Sequence, residues 1–229
     1  MIKNMMLMSL CLLFIGCSNK NSSYTVIKES QKNGLLKNNN RVVIKPIYDS
    51  VSKFYNHVGT EFAIVEYNHK FGIINNNSKL VLKPIYDSIE PFFNGFAKIS
   101  ENGKFGLINE KFNIVLKPKY GDVEEFYNDV AYIKSRSGLF GCIDKNMNLK
   151  IKPQFDRIYL EKNNYARIVK DNKWGFIDNK CNVIVKPIYD YIYDFSKKIA
   201  KIKYNGKVGY IDTKGKLITK FFFDDGDSF

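Results

Sequence analysis

Residues 183–187 read Val-Ile-Val-Lys-Pro, and four variants of this tract precede them in the chain. The five tracts end at Pro46, Pro84, Pro118, Pro153 and Pro187, so that the proline numbers rise in steps of 38, 34, 35 and 34. A tract that returns at a nearly constant interval indicates a repeat architecture, in which each copy completes its core against its neighbours. Residues shared by the copies are therefore interpreted as scaffold before any of them is considered for catalysis.

Other positions keep the same phase. A glycine lies twelve positions before each proline, and Gly209 marks a sixth copy in which Phe221 stands at the proline position. The five glycines are Gly34, Gly72, Gly106, Gly141 and Gly175. An alanine precedes the later glycines, at Ala63, Ala97, Ala131, Ala166 and Ala200. We expect the alanines at the closest approach of two copies, and the glycines where a neighbouring strand crowds the backbone or at a bulge.

The copies read as short strands and turns, and no stretch of about 11 residues or more shows an apolar stripe at helical period. In one copy, Phe96–Ser100 and Phe105–Ile108 form strands around an Asn102-Gly103 turn, whose residue types suit a two-residue hairpin. Asn113–Lys117 is a third strand, which ends at proline because proline donates no backbone hydrogen bond. A looser fourth segment follows at Val123–Tyr127. The fold class is therefore all-β.

About six tandem 34-residue copies over residues 24–224 are compatible with two arrangements. One is a β-solenoid-like array of short antiparallel strands and hairpins, and the alternative is a closed, propeller-like ring. We favour the open array, because about 34 residues per copy is short for a four-stranded propeller blade and the outer copies depart from the pattern as terminal caps do.

The stretch Lys173-Trp174-Gly175-Phe176-Ile177-Asp178, followed by residues 183–190, resembles the consensus of WG repeats. The other copies carry a different residue at the tryptophan position, namely Asn33, Phe71, Phe105, Phe140 and Val208. The resemblance implies a bacterial protein, often secreted or anchored, and it brings no general activity with it.

The first 16 residues are expected to be an export signal, because Lys3 precedes an apolar run of about 11 residues that is too short to span a bilayer. The run ends in Leu13-Phe14-Ile15-Gly16-Cys17, which resembles the bacterial lipobox. The resemblance implies lipidation of Cys17, with acyl chains such as palmitate holding the protein on membrane lipid. Residues 17–23 then form a tether and residues 225–229 an acidic tail. The expected location is a bacterial cell envelope, at the outer membrane or cell surface.

Two cysteines remain beyond the lipidation site. Cys142 follows Gly141 at a strand position where other copies carry Leu, Ile, Phe or Tyr, so we expect a small buried hydrophobic residue there. Cys181 lies six residues after Gly175, in a turn. Because the two residues occupy different places in the copy, we do not expect a disulfide between them.

The sequence contains no recognisable catalytic or metal-binding motif. His57 and His69 are its two histidines, and neither has a Cys, Asp or Glu at metal-ligand spacing. Asp49, Asp87, Asp156 and Asp190 recur in phase, which favours side chains that accept backbone amides as the chain turns after the proline. Asp144, Asp178 and Asp212 are expected to begin turns in the same way. We therefore predict no catalytic residues, metal or cofactor, and a protein that is not an enzyme.

The excess of positive charge is the one feature of the sequence that a purely structural role of the repeats does not explain. Lys and Arg total 36 against 23 acidic residues, a net charge of +13 that becomes +12 when Lys3 leaves with the signal. Two sets of lysines keep the repeat phase. The first set is Lys45, Lys83, Lys117, Lys152, Lys186 and Lys220, and the second is Lys32, Lys70, Lys104, Lys173 and Lys207. They either guard strand edges against aggregation or attract an anionic polymer or lipid headgroups.

These observations favour a membrane-anchored binding or scaffolding module that presents a basic surface to a protein or an anionic envelope partner. The alternative is a carbohydrate- or cell-wall-binding lipoprotein, in which Tyr and Phe supply stacking faces. Exposure of Tyr159, Tyr191 and Tyr193, which break the pattern, would reveal an aromatic binding surface. Nucleic acid is not expected as a partner, since export and the lack of a recognised motif count against it.

Overall fold

A computed structural model describes residues 24–38, 41–57, 59–127, 129–160, 165–219 and 223–224, the last two through their backbone. The chain divides into two compact units, Met1–Lys119 and Tyr120–Phe229, which are described separately below. The expected signal, the tether with Cys17 and the acidic tail lie outside the described residues.

The prediction of an all-β chain of small antiparallel sheets is confirmed: the described residues form 24 strands in six sheets. Sheet 1 contains β1 (Tyr24–Glu29), β2 (Lys32–Lys37) and β3 (Arg41–Tyr48). Sheet 2 contains β4 (Ser50–Val51), β5 (Tyr55–His57), β6 (Thr60–Tyr67), β7 (Lys70–Asn75) and β8 (Leu80–Tyr86). Sheet 3 contains β9 (Ser88–Ile89), β10 (Phe96–Glu101), β11 (Lys104–Asn109) and β12 (Ile114–Tyr120).

The C-terminal unit repeats this plan. Sheet 4 contains β13 (Asp122–Val123), β14 (Val130–Lys134), β15 (Phe140–Asp144) and β16 (Leu149–Phe155). Sheet 5 contains β17 (Arg157–Leu160), β18 (Tyr165–Lys170), β19 (Lys173–Asp178) and β20 (Val183–Tyr189). Sheet 6 contains β21 (Tyr191–Ile192), β22 (Ile199–Tyr204), β23 (Lys207–Asp212) and β24 (Phe223–Asp224).

Sheets 2 to 5 share one order: a short strand, the two strands of a hairpin and a proline-containing strand at the far edge. The looser segment expected at residues 123–127 provides the short strand of the next sheet, because Val123 pairs with Ile133 of β14. The chain therefore passes directly from the outer edge of one sheet to the opposite edge of the following one.

The hairpin turns of every sheet except sheet 4 have left-handed backbone at both central residues. Asn102 and Gly103 have φ angles of 52° and 67°, as the Asn-Gly pair predicted, and Asp171 and Asn172 have 51° and 59°. Turns of this kind match the right-handed twist of the strands they join. They fix the register of the hairpin, in which Glu101 pairs with Lys104 and Phe96 with Asn109.

The glycine that recurs in phase with the proline lies directly beneath the proline strand. In sheet 3, a Cβ atom added to Gly106 would lie 2.6 Å from Pro118 N and 2.8 Å from Lys117 C. The partner strand bulges at this point, since the register between the glycine strand and the proline strand shifts in sheets 1, 2, 4 and 5. The glycine is therefore needed because the bulged backbone of its neighbour crosses its Cα, and not because of its own φ angle. The glycine was expected either where a neighbouring strand crowds the backbone or at a bulge. Both features occur together, because the strand that crowds the glycine is the one that bulges.

The alanines lie where consecutive sheets face each other, as expected. Ala97 is fully buried with Ile73 and Leu82 of sheet 2, and Ala63 joins Leu35 and Ile44 of sheet 1. The C-terminal unit shows the same arrangement, with Ala166 packed against residues of sheet 4 and Ala200 against residues of sheet 5. Each interface is an apolar layer that one sheet could not bury by itself.

The expectation of unpaired cysteines is wrong, because Cys142 and Cys181 form a disulfide with Cα atoms 6.4 Å apart. Cys142 lies on β15, whereas Cys181 lies in the turn after β19. The two positions differ within a copy, but the turn of one copy packs against the glycine strand of the copy before it. Phe112, which occupies the turn position in sheet 3, likewise packs on Phe62 of sheet 2, with ring centroids 5.1 Å apart.

Candidate binding surfaces

The first lysine set lies on the outer strands of the sheets. Its five described members are exposed, and none of them forms a salt bridge with another described residue. Each precedes the proline of an edge strand, where a charge and a missing amide hydrogen oppose pairing with a further strand. We name this set the edge lysines: Lys45, Lys83, Lys117, Lys152 and Lys186. Lys220 lies outside the described residues.

Each edge lysine has an exposed aliphatic side chain three residues before it. These side chains are between 38% and 51% exposed, although comparable residues on the same strands are buried. They are Val42, Leu80, Ile114, Leu149 and Val183. The edge strands therefore combine positive charge with accessible apolar surface in every described copy.

The second lysine set is mostly engaged within the scaffold. Lys32, Lys70 and Lys173 form salt bridges with the aspartates that follow them at a sequence separation of 17, namely Asp49, Asp87 and Asp190. Gly121 stands at the equivalent place after Lys104, so that copy has no aspartate there. Asp224 holds the position for Lys207, but its side chain lies outside the described residues.

The paired aspartates join consecutive hairpins, which extends their predicted role as acceptors of backbone amides. Asp190 accepts the salt bridge from Lys173 of sheet 5 and a hydrogen bond from the Asn205 amide of sheet 6. Hydrogen bonding to the lysine holds the pKa of Asp49, Asp87 and Asp190 below the usual range, because it favours the ionised carboxylate. The other predicted turn residues behave as expected: Asp144, Asp178 and Asp212 accept amides of the turns that follow them.

Replacing Asp87 with asparagine is expected to weaken the acid sensitivity of the N-terminal unit. Because its pKa is lowered on folding, ionised Asp87 contributes stability above the unfolded pKa of about 4, and this is lost as the pH falls through the folded pKa. Urea unfolding at about pH 6 and about pH 3 should show a smaller loss for Asp87→Asn than for the parent. Glu125→Gln, at an exposed carboxylate of the other unit, is the control. A loss in Asp87→Asn equal to that of the parent would contradict the assignment.

A cluster of rings surrounds one arginine in the C-terminal unit. We name it the tyrosine–arginine cluster, and it consists of Tyr159, Arg167, Trp174, Tyr191 and Tyr193. The Tyr159 and Trp174 rings are stacked with centroids 5.5 Å apart, and Trp174 lies 4.7 Å from Tyr191, which lies 4.8 Å from Tyr193. The Arg167 guanidinium carbon lies 5.4 Å from the Trp174 ring centroid and 5.8 Å from that of Tyr159.

The sequence indicated the three tyrosines of this cluster but not Arg167. Tyr193 is 37% exposed, while Tyr159 and Tyr191 are half-buried. Arg167 follows Ala166 at a position that holds Lys98 in sheet 3 and Tyr132 in sheet 4, where burial raises the tyrosine pKa to about 12. Since the residue type changes from copy to copy, the repeat phase gave no signal for it.

Each histidine lies near a glutamate of the N-terminal unit. His57 Nε2 lies 3.0 Å from Glu110 Oε1, and the His57 ring stacks on Phe92 with centroids 4.8 Å apart. His69 Nδ1 lies 3.7 Å from a Glu66 carboxylate oxygen. Over the described ranges, three or more metal-ligating side chains nowhere gather into a group. The same ranges contain no helix with the length and apolarity needed to cross a bilayer.

A family model for the WG containing repeat matches residues 34–70, 71–105, 105–136, 140–174, 174–207 and 209–229. The chain belongs to the WG-repeat family. The predicted membership is therefore confirmed. Comparison with curated proteins gives no match.

Solved structures give weak likenesses. Hsv2 of Kluyveromyces lactis has 9% sequence identity and a TM-score of 0.32, with 83% of this chain and 71% of that chain covered. The calcium-binding protein regucalcin of Agrobacterium tumefaciens has 12% identity and a TM-score of 0.28, with 70% and 69% covered. No conclusion about the WG-repeat chain follows from likenesses at this level.

Proposed function

We propose that this WG-repeat protein is a lipid-anchored, non-enzymatic binding module of a bacterial envelope that presents the edge lysines to an anionic partner. The observation that carries the proposal is their common placement: each is exposed on an edge strand, without a salt bridge to another described residue. Three lysines of the second set are instead engaged by aspartates, whereas no described member of the edge set is paired in this way. Positive charges held at repeated places attract a polyanion with a summed field that salt weakens.

The anchor is proposed at Cys17, through acyl chains that insert into membrane lipid. The resemblance of residues 13–17 to a lipobox supports it. The disulfide between Cys142 and Cys181 also supports export, because disulfides persist in oxidising compartments and are rare in the reducing cytosol. Ser18 and Asn19 after the cysteine favour an outer membrane or the cell surface.

Binding to poly-glutamate, an anionic polymer of defined charge, tests the proposal. The measurement uses the Cys17→Ala chain, which should be found in the soluble fraction of cells whereas the parent is found with membranes. We expect affinity to fall as the salt concentration rises. Replacing the five edge lysines by glutamine should lower affinity about fivefold or more, since each surface ion contact contributes roughly 0.2–1 kcal/mol.

A second variant with the same net charge as the edge-lysine variant shows whether net charge alone explains the loss. Five exposed lysines away from the proline position are replaced by glutamine: Lys53, Lys79, Lys111, Lys150 and Lys180. This control should retain most of the affinity. Equal losses in the two variants, or binding that ignores salt, would refute the edge lysines as the binding surface. Recovery of Cys17→Ala with membranes would refute the anchor.

A carbohydrate- or cell-wall-binding role is the second candidate. The tyrosine–arginine cluster favours it, because aromatic rings gathered beside charged groups offer both stacking faces and hydrogen-bonding partners.

A further inference from the structure

We propose that the tyrosine–arginine cluster, together with Asp194 and Lys201, forms a binding site for a saccharide polymer that carries acidic groups. The site extends the proposed function by naming a ligand class, and it lies apart from the edge lysines. Because it belongs to sheets 5 and 6, the site is contained in the C-terminal unit.

The cluster is not a general feature of the repeat. Strand pairing places Tyr159 and Tyr193 at the same position of their sheets, two residues after the start of the short strand. The corresponding residues of sheets 2, 3 and 4 are Ser52, Glu90 and Glu124. Two consecutive sheets thus carry rings where the others carry small or acidic side chains, and packing of the scaffold does not require them.

Arg167 is a positioning residue that holds the rings in place. Its Nε lies 3.1 Å from Asp194 Oδ1, and its Nη1 donates to the Tyr191 hydroxyl at 3.3 Å and to the Ile192 carbonyl at 3.2 Å. The guanidinium also covers the Trp174 ring, and the side chain is only 16% exposed. The arginine therefore fixes the neighbouring tyrosine and carboxylate of sheet 6 relative to the rings of sheet 5.

The groups that remain accessible match the chemistry of a sugar. Tyr193 is 37% exposed and the Asp194 side chain 55% exposed. A sugar ring presents a face of C–H groups that packs on an aromatic ring, while its hydroxyls donate to carboxylate oxygens. Tyr193 and Asp194 are adjacent in the chain, so one sugar unit can engage both.

The charge of the site favours an acidic saccharide over a neutral one. Lys201 Nζ lies 5.4 Å from the Tyr193 ring centroid, and Arg157 donates to the Tyr159 hydroxyl at 3.1 Å. Lys201 and Arg157 therefore place positive charge beside the ion pair of Arg167 and Asp194. Complementary charge of this kind selects a carboxylated or phosphorylated sugar against an uncharged one.

Binding of poly-galacturonate, dextran and poly-glutamate to the Cys17→Ala chain separates the contribution of ring stacking from that of charge. In these measurements the Cys17→Ala chain is the parent. Poly-galacturonate should bind more tightly than dextran, which lacks charge, and than poly-glutamate, which lacks sugar rings. Tyr193→Ala should weaken poly-galacturonate binding about two- to tenfold, because the sugar loses an aromatic ring on which to stack. The same variant should leave poly-glutamate binding unchanged.

Tyr127→Ala is the matched control, since Tyr127 is an exposed tyrosine of the same unit, 57% exposed and outside the cluster. Lys201→Met provides a second variant and should reduce the preference for poly-galacturonate over dextran. Equal binding of poly-galacturonate and poly-glutamate, or equal losses in Tyr193→Ala and Tyr127→Ala, would overturn the site. Loss of poly-glutamate binding in the edge-lysine variant concerns the proposed function alone, so the two can fail separately.

Discussion

Replacing Gly106 with alanine is expected to destabilise sheet 3 by about 3 kcal/mol or more, since overpacking typically costs roughly 1–3 kcal/mol and more where the surroundings cannot relax. The added Cβ would lie 2.6 Å from Pro118 N and 2.8 Å from Lys117 C, closer than nonbonded atoms approach. These neighbours are backbone atoms, so no side chain can rotate away and the proline strand must move. Hydrogen exchange of the β11 and β12 amides should accelerate on the order of 100-fold.

Gly103→Ala is the matched control in the same hairpin. An added Cβ there would meet no atom within 4 Å, but Gly103 has a φ of 67°. Alanine should therefore cost only about 1–2 kcal/mol, as left-handed backbone does for an ordinary residue. His69 and Asn172 hold the equivalent position in other hairpins with φ angles of 61° and 59°. Equal acceleration of exchange in the two variants would show that crowding by the proline strand is not the reason for Gly106.

The repeat phase predicted most of the fold because the same local rules apply in each copy. The Asn102-Gly103 pair determines a tight hairpin, and the prolines lie on edge strands because they cannot donate to a sheet. The spacing of the repeated residues did not predict the bulge in the proline-containing strand. The expectation that the third strand ends at the proline is wrong, because β12 continues through Pro118 to Tyr120. The tract Lys117-Pro118 did not indicate that the backbone of this strand crosses Gly106.

Contacts between copies are harder to predict than contacts within them. The disulfide shows the reason: Cys142 and Cys181 occupy different places within one copy, whereas the structure joins the turn of one copy to a strand of the preceding one. The constant separation of 17 between Lys70 and Asp87 is, by contrast, visible in the sequence. It recurs in two other described copies and indicates that part of the second lysine set is paired.

The tyrosine–arginine cluster could not be predicted as a cluster from the sequence. Its rings come from two sheets, and Arg167 contacts Tyr159 and Trp174 of sheet 5 together with Tyr191 of sheet 6. A position that holds a different residue type in each copy cannot be recognised from the repeat pattern. A functional position in a repeat protein is therefore expected where the pattern breaks, and the fold is needed to show which breaks lie side by side.

Removing the disulfide is expected to lower the free energy of unfolding of the C-terminal unit by about 3–4 kcal/mol, because the bond restricts the unfolded chain by an amount that grows with the length of the closed loop. The bond joins residues at a sequence separation of 39. Both sulfur-bearing residues are buried, with Cys142 at 0% and Cys181 at 3% exposure. A reductant should therefore act slowly on the folded protein, when the two sheets open.

The measurement is urea unfolding followed by the fluorescence of Trp174, the chain's single tryptophan, which lies in sheet 5. The parent should unfold at a lower urea concentration after reduction, and the Cys142→Ala/Cys181→Ala variant should ignore reductant and unfold at a urea concentration somewhat below that of the reduced parent. Alanine at both positions also leaves a small cavity between the sheets, which adds to the loss in the variant but not in the reduced parent. Comparing the two separates loop closure from packing. A parent whose unfolding midpoint does not change on reduction would show that the link between sheets 4 and 5 rests on apolar packing alone.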